Sequence, residues 1–188
     1  MGFHTFDPSE TDRLEDTARF RYCSREELLQ HLPTGEETRL LDIGSGTGFY
    51  TDELAPFVGE IVALDVQTAM HHQYRRRGMP ENVAPVTADA QSLPFDNDTF
   101  DAAVSTMTFH ESASPASCAE LSRVLAADGI TIIVDWSAAG RGESGPPRTE
   151  RYDAADAREM LDAAGFDVVI AVERSETLAV VCVRAGPT

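Results

Sequence analysis

Short apolar runs alternate with amphipathic stretches along this chain of 188 residues. Seven runs rich in β-branched and other apolar residues predict strands, at residues 39–43, 61–64, 83–88, 100–105, 130–134, 166–172 and 178–183. Apolar residues at helical spacing predict helices between several of these strands, near residues 68–77 and 116–126. This alternation predicts an α/β fold with a doubly wound, mostly parallel seven-stranded sheet, and the last two strands predict a C-terminal antiparallel pair.

The N-terminal part has its own helical pattern. Residues 9–32 are amphipathic, and the pattern stops at Pro33 and Gly35. We therefore expect an N-terminal helical cap over residues 1–35 that covers a cofactor site. The length fits one domain over residues 1–188.

Further elements follow from their faces and ends. A second helix is predicted from apolar residues on one face, Tyr50, Leu54, Phe57 and Val58. The last helix should follow Asp153, a good N-cap, and stop at Gly165. Residues 137–151 are rich in Gly, Pro and charge and predict a mobile loop after the fifth strand. That loop either covers a substrate or is a plain solvated connection.

The stretch LLDIGSGTG, residues 40–48, combines a strand end with a loop that suits ligand contact. Gly44, Gly46 and Gly48 lack a Cβ, so they can take positive φ and admit another molecule against bare backbone. Open α/β sheets bind ligands at such strand ends. The dinucleotide pattern G-x-G-x-x-G needs a glycine where this chain has Phe49, which disfavours a nucleotide-dependent oxidoreductase.

A second acid ends the next strand. Asp65 closes the run IVALD about 20 residues after the first glycine, the spacing at which a carboxylate meets ribose hydroxyls. With LLDIGSGTG, VALDV, VTADAQSLPFDNDTFDAAVS, LSRVLAADGITIIVDW and MLDAAGFDVV in order, the chain resembles the class I S-adenosylmethionine-dependent methyltransferases from about residue 39 to 166. The resemblance implies a Rossmann-like fold, S-adenosylmethionine as cofactor and methyl transfer as the activity.

The resemblance also implies a set of cofactor-binding residues. Asp42, Gly44, Ser45, Gly46 and Thr47 would line the methionine part, Asp65 would accept both ribose hydroxyls, Val66 would flank the adenine, Asp89 and Ala90 would meet its edge, and Thr106 and Tyr22 would complete the site. Acids that follow strands also cap turns, which is the alternative for Asp42, Asp65 and Asp89. Tyr22 could equally be a core residue of the first helix.

The segment STMTFHE, after the fourth strand, lies where the resembling family points at the transferred methyl group. His110 is the predicted catalytic base, because a near-neutral pKa lets an imidazole take a proton from a hydroxyl or an acidic carbon. The alternative is a histidine that shapes the pocket or caps a helix. We expect Glu111 to be a solvated acid and the neighbours His71 and His72 to lie on the surface.

The cysteine spacing and the hydropathy of the chain indicate the cellular compartment that we expect. Cys23, Cys118 and Cys182 show no paired or metal-like spacing, so we expect reduced, mostly buried thiols and no metal site. No apolar run approaches the roughly 20 residues of a membrane helix, and the first residues lack the pattern of a secretory signal. A cytoplasmic location is therefore expected, with no membrane partner.

The charge balance is strongly acidic. The chain has 32 acidic and 15 basic residues, a net charge of −17, and every basic residue is Arg. Acidic surfaces stay hydrated when salt screens other charges, so this predicts the salt-rich cytoplasm of an extreme halophile. A GC-rich genome is the alternative, although it explains the excess of acids less readily. The basic run at residues 75–77 suits the C-terminal end of a helix, where it complements the helix dipole. The sequence has no basic patch of the kind that binds nucleic acid, so we expect no nucleic-acid partner.

We therefore expect an enzyme that transfers a methyl group from S-adenosylmethionine to a small-molecule acceptor. From the resemblance we expect no inserted domain of the kind that larger relatives devote to proteins or nucleic acids. A non-catalytic S-adenosylmethionine-binding or scaffold protein with the same fold is the alternative. The pattern leaves the acceptor, the atom methylated and the oligomeric state open.

Overall fold

The computed structural model describes Phe6 and residues 13–186 of the chain. In that part seven strands form one sheet: β1 (Gly35–Ile43), β2 (Val58–Asp65), β3 (Val83–Thr87), β4 (Phe100–Thr106), β5 (Leu125–Trp136), β6 (Phe166–Glu173) and β7 (Thr177–Arg184). The helices are α1 (Arg25–Leu29), α2 (Phe49–Leu54), α3 (Thr68–Arg77), α4 (Phe109–Ser112), α5 (Pro115–Val124) and α6 (Ala154–Ala163). Short 3₁₀ turns cover Thr17–Arg21, Ala55–Phe57 and Arg148–Glu150.

The strand order is β3-β2-β1-β4-β5-β7-β6. The first five strands pair in parallel, and β7 runs antiparallel to both β5 and β6. The predicted seven-stranded α/β sheet with its C-terminal antiparallel pair is therefore confirmed. The chain winds outward from β1 in one direction and from β4 in the other, so the crevice between their carboxyl ends is the switch point where such sheets bind ligands.

Two cores cover the two faces of the sheet. Leu41 on β1 belongs to the core under α5 and α6, while its neighbour Leu40 belongs to the core under α1, α2 and α3. Successive strand residues point to opposite faces, and both faces are buried here. That double burial explains why the strands appear in the sequence as unbroken apolar runs.

The N-terminal segment departs from the predicted helix over residues 9–32. Within the described residues it forms the 3₁₀ turn Thr17–Arg21 and the five-residue α1. Ser24 interrupts the pattern, because its hydroxyl accepts from Glu27 N and so begins a new helix. Gly35 already belongs to β1, which shortens the predicted cap, and the prediction for residues 1–5 and 7–12 lies outside the described residues.

The second helix also ends earlier than its apolar pattern predicts. Pro56 follows closely after Leu54 and has no N–H to donate, so α2 ends there in a 3₁₀ turn. Phe57 is exposed rather than packed on the sheet, and Val58 begins β2. The helix α6 agrees with the prediction: Asp153 caps it, accepting from two backbone N–H groups, and Gly165 follows with a φ of +86°.

The remaining features of the fold are the burial of its cysteines and the hydropathy of its helices. Cys23, Cys118 and Cys182 are buried free thiols, as predicted. Among the helices of the described residues, none has the length and apolar character needed to cross a membrane.

Candidate functional site

The glycine loop, residues 44–48, turns back over the end of β2. Gly44 N and Ser45 N both donate to Leu64 O, at 2.8 and 2.9 Å. The φ angles of the three glycines are +74°, +56° and +89°, all in the left-handed region that side chains resist. Positive φ, predicted from the sequence, is therefore confirmed at each glycine.

The three glycines are required for two different reasons. A Cβ on Gly44 would overlap the side chain of Thr108, and a Cβ on Gly48 would overlap the ring of Tyr74. At Gly46 the nearest described atom to such a Cβ is Leu14 Cδ1, at 3.6 Å, an ordinary contact. Clashes with the protein's own side chains thus explain two of the glycines, whereas a Cβ at Gly46 would make only an ordinary contact.

Asp65, at the end of β2, is hydrogen-bonded to the glycine loop at Gly46. Its Oδ2 accepts from Gly46 N at 2.9 Å, and its Oδ1 accepts from Gln67 N at 2.8 Å. Burial raises the pKa of Asp65, and these backbone bonds oppose the increase. Each carboxylate oxygen retains acceptor capacity, so the group can also bind a pair of hydroxyls.

Asp42, at the end of β1, is almost completely buried. Its Oδ2 accepts from Thr51 Oγ1 at 2.5 Å, while its Oδ1 and the hydroxyl of Ser45 have no hydrogen-bond partner among the described residues. Burial, reinforced by the charge of Asp65, raises the pKa of Asp42 to about 6. Buried polar atoms are nearly always hydrogen-bonded, so these two suit a ligand with polar N–H groups.

A hydrogen bond and an ion pair of Glu15 connect the N-terminal segment to the glycine loop and to α3. Glu15 accepts from Thr47 Oγ1 and forms an ion pair with Arg77, which also donates to Thr47 O at 2.7 Å. Part of the basic run at the end of α3 therefore holds the segment that contains Leu14 over Gly46.

The residues predicted for the adenine lie beyond β2 and β3. Val66 is 54% exposed, and Ala90 is buried against the core. Asp89 is exposed, and its Oδ1 accepts from Gln91 N at 2.8 Å, so it caps its own turn.

His71 contradicts its predicted surface position. It is 1% exposed, because the face of α3 that contains Met70 and Tyr74 packs against the sheet, and its Nδ1 lies 3.0 Å from Thr87 Oγ1. Burial lowers the pKa of His71. His72, the neighbour, is exposed as expected.

The end of β4 is linked directly to the glycine loop. Thr106 is buried, and its carbonyl accepts from Thr108 Oγ1, which also lies 3.3 Å from Gly44 O. Met107, between them, takes a φ of +58°, a conformation uncommon outside glycine. Thr108 was not predicted from the sequence, and only the contact with Gly44 identifies it.

His110 is held by a buried carboxylate. Asp135, the penultimate residue of β5, is 1% exposed and accepts from His110 N at 2.5 Å and from Trp136 N at 2.7 Å. His110 Nδ1 lies 2.9 and 3.0 Å from the two oxygens of Asp135. Asp135 was not predicted from the sequence, although Asp42 and Asp65 show the same pattern of an acid at the end of an apolar strand.

Electrostatics couple His110 to two acids. Burial lowers the pKa of His110, but the hydrogen bond and charge of Asp135 outweigh it, so the pKa is raised overall. Glu111 Oε1 lies 3.7 Å from His110 Nε2. Burial raises the pKa of Glu111 to about 7, so the expected solvated acid is instead a partly buried group that titrates near neutrality.

Tyr22 lies beside β5 rather than the glycine loop in its described contacts. Its hydroxyl donates to Ser144 Oγ at 2.6 Å, and its ring meets Trp136 edge-on at 4.7 Å between centroids. A polar cavity of about 210 Å³ adjoins it, lined also by Arg174 and Thr177.

Hydrogen bonds to its backbone hold the loop of residues 137–151. Arg151 is buried and donates to the carbonyls of Ser144 and Pro146, while Glu176 accepts from Gly142 N and Glu143 N. These bonds place the loop at the same edge of the sheet as His110.

Comparison with known proteins agrees with this arrangement. Residues 41–133 match the model of a family described as a methyltransferase domain. A methyltransferase structure from Aquifex aeolicus, described as S-adenosylmethionine-dependent, superposes with a TM-score of 0.86 and 29% identity, covering 96% of this chain and all of that one.

Two further relatives are named as proteins of biosynthesis, and one of them is named as a methyltransferase. The bifunctional biotin biosynthesis protein BioHC of Cellvibrio japonicus is 40% identical over 57% of this chain and 22% of its own length. The ubiquinone/menaquinone biosynthesis C-methyltransferase UbiE of Coxiella burnetii is 33% identical over 56% of this chain and 45% of its own length. The matches span less than half of either relative. The family model, the Coxiella burnetii relative and the solved structure thus all liken this chain to methyltransferases, and the solved structure is one described as S-adenosylmethionine-dependent.

Proposed function

We propose that this chain is an S-adenosylmethionine-dependent methyltransferase that methylates a small-molecule acceptor. The observation that carries the proposal is the bond between Asp65 and Gly46, which holds a buried carboxylate against the glycine loop at the switch point of the sheet. S-adenosylmethionine supplies an already activated methyl group when bound. The chain's task is then to bind, orient and exclude water, and to accept a proton where the acceptor has one to lose.

The residues at the end of β1 and β2 fit this cofactor. The unpartnered oxygens of Asp42 and Ser45 suit the polar groups of its methionine part, beside the backbone of Gly44, Gly46 and Thr47. The free acceptor capacity of Asp65 suits the ribose hydroxyls. We assign Val66, Asp89 and Ala90 to the adenine side, and Thr106 to the junction between the cofactor and the acceptor.

The acceptor side lies around His110, which we propose as the base. Tyr22 and residues 137–151 border the same edge, so we assign Tyr22 to the acceptor side as well as to the closure of the cofactor pocket. The name of the Coxiella burnetii relative, a C-methyltransferase of ubiquinone and menaquinone biosynthesis, supports a small-molecule acceptor here.

The alternative is a protein that binds S-adenosylmethionine without turnover. The buried contact between His110 and Asp135 favours the enzyme, because a scaffold has no need for an oriented imidazole at the acceptor side. The glycine spacing still disfavours a nucleotide-dependent oxidoreductase.

The deciding experiment is calorimetry of S-adenosylmethionine and of NADH against the purified chain in molar potassium chloride. We expect binding of S-adenosylmethionine only, and release of S-adenosylhomocysteine with at least one acceptor of a small-molecule panel. Binding without turnover across the panel would favour the scaffold, and absence of binding would end the proposal.

We also propose a setting for the enzyme. All seven strands form one continuous sheet, from β3 at one edge to β6 at the other, which supports one domain over residues 1–188. The net charge of −17 without lysine supports a halophilic origin and a cytoplasmic location.

A further inference from the structure

We infer that Asp135 is the positioning residue that makes His110 a base at Nε2, and that the acceptor is therefore a hydroxyl or an activated C–H group. The inference rests on the proposed methyltransferase function and adds the chemical class of its substrate. It depends on one carboxylate near the end of β5 and one imidazole in α4, the helix that follows β4, and both are buried.

The contacts fix the tautomer of His110. A carboxylate only accepts hydrogen bonds, so the ring nitrogen next to Asp135 must carry the proton. That nitrogen is Nδ1, at 2.9 and 3.0 Å from the two oxygens. In the neutral ring Nε2 then holds the lone pair, and this nitrogen is the one on the side of Glu111.

The contacts also fix the orientation of the ring. Asp135 accepts from the backbone N–H of His110 as well as from its side chain, and from the backbone N–H of Trp136. The first turn of α4 and its histidine ring are thus held by one group that is 1% exposed. A histidine that only filled space would not require a buried carboxylate to orient it, because the burial of that charge is costly.

An oriented base restricts the acceptors that benefit from it. A neutral amine, a thioether or an ionised carboxylate can attack a methyl group with an existing lone pair. A hydroxyl or an activated C–H must lose a proton: its electron pair forms the new bond to the methyl carbon, the carbon–sulfur pair goes to sulfur, and the proton goes to Nε2. The resulting imidazolium is stabilised by Asp135 and returns the proton to solvent.

The tautomer can be measured without knowing the acceptor. Long-range ¹H–¹⁵N spectra of the full chain with ¹⁵N-labelled histidine distinguish a protonated Nδ1 from a protonated Nε2, and the variant His110→Gln assigns the signal. We expect the Nδ1–H form of His110 in the wild type and a mixture of forms in Asp135→Asn. At a pH where the ring is neutral, a wild type with the proton on Nε2 would overturn the inference, whatever the variant does.

The substrate class is tested with S-adenosylmethionine and a panel of a phenol, a hydroquinone, an alcohol, a primary amine, a thiol and a carboxylic acid. We expect turnover of the phenol, the hydroquinone or the alcohol, and none of the amine or of the carboxylic acid, which is already ionised near neutral pH. In Asp135→Asn we expect kcat to fall at least tenfold with KM for S-adenosylmethionine unchanged. The matched control Asp167→Asn removes an exposed charge from β6 and should leave kcat unchanged.

The pH profile separates positioning from a merely structural role. The charges that act on His110 are those of Asp135, Glu111 and Arg151. Without Asp135, burial dominates and lowers the pKa of His110, so the acidic limb of the rate profile should move to lower pH. An unmoved limb, or turnover confined to amines or carboxylates, would overturn the inference while the methyltransferase function stands. Failure to bind S-adenosylmethionine would instead refute the proposed function.

Discussion

The backbone N–H of Gly46 donates to the carboxylate of Asp65 at 2.9 Å, which joins the loop after β1 to the end of β2. One side chain therefore both shapes the glycine loop and offers acceptors to a ligand. Both tasks lie at the switch point of the sheet, so binding and loop geometry should respond together to changes at Asp65.

Asp65→Ala should weaken binding of S-adenosylmethionine by about 1.5–3 kcal/mol, the range for hydrogen bonds to a charged group. Asp89→Ala is the matched comparison, because the Asp89 carboxylate is exposed and already accepts from Gln91 N. Asp89→Ala should weaken the binding of S-adenosylmethionine less than Asp65→Ala does. Calorimetry in high salt gives both affinities, and an Asp65→Ala protein that binds normally would remove the assignment of this site.

Alanine at two loop glycines should separate packing from ligand space. Gly44→Ala should destabilise the fold strongly, because its Cβ would overlap Thr108. Gly46→Ala meets Leu14 at an ordinary distance, so we expect only about 1–2 kcal/mol from its positive φ. Gly46→Ala should nevertheless weaken cofactor binding. Urea unfolding and calorimetry report the two effects, and equal losses of stability would contradict the distinction.

Sequence patterns recover the sheet but not the contacts between its ends. The strands are buried on both faces, so they can be identified in the sequence as unbroken apolar runs. The alternate glycines of residues 44–48 predict a loop. Asp135 meets His110 only because β4 and β5 are neighbours in the sheet. His71 was misplaced because two adjacent histidines look polar, whereas the fold turns one of them toward the sheet. Such pairings depend on tertiary structure rather than local spacing.

Asp42→Asn should stabilise the free protein near neutral pH. The pKa of Asp42 is raised from 3.8 to about 6, so between these values the folded state holds a proton that the unfolded state has lost. Stability from this group is present below about pH 4 and is lost as pH rises toward 6, by up to about 3 kcal/mol.

Urea unfolding from pH 4 to pH 7 tests this dependence. The wild type should lose stability relative to Asp42→Asn across that interval and not beyond it. S-adenosylmethionine should bind the variant more weakly, since the uncharged amide replaces an acceptor proposed for the methionine part. Parallel pH curves for the two proteins would contradict the assignment of a protonated, buried Asp42.

Glu111→Gln should lower the pKa of His110. The charge of Glu111 is among the interactions that raise this pKa, and glutamine removes it while retaining the side chain's size. The acidic limb of the rate profile should therefore shift to lower pH, with the largest difference near pH 7, where Glu111 itself titrates. Glu81→Gln, an exposed acid, is the control. An NMR titration of His110 that is identical in all three proteins would exclude this coupling.

Salt should stabilise the fold far more than it stabilises a near-neutral domain. Crowded carboxylates give a net charge of −17, and molar salt shortens the screening length to about 3 Å, which removes most of their repulsion. The melting temperature should therefore rise steeply from dilute buffer to molar potassium chloride. Sodium chloride at equal ionic strength tests whether screening alone is responsible, because screening does not distinguish the two cations. A flat curve in both salts would mean that the acidity of this chain has a cause other than adaptation to salt.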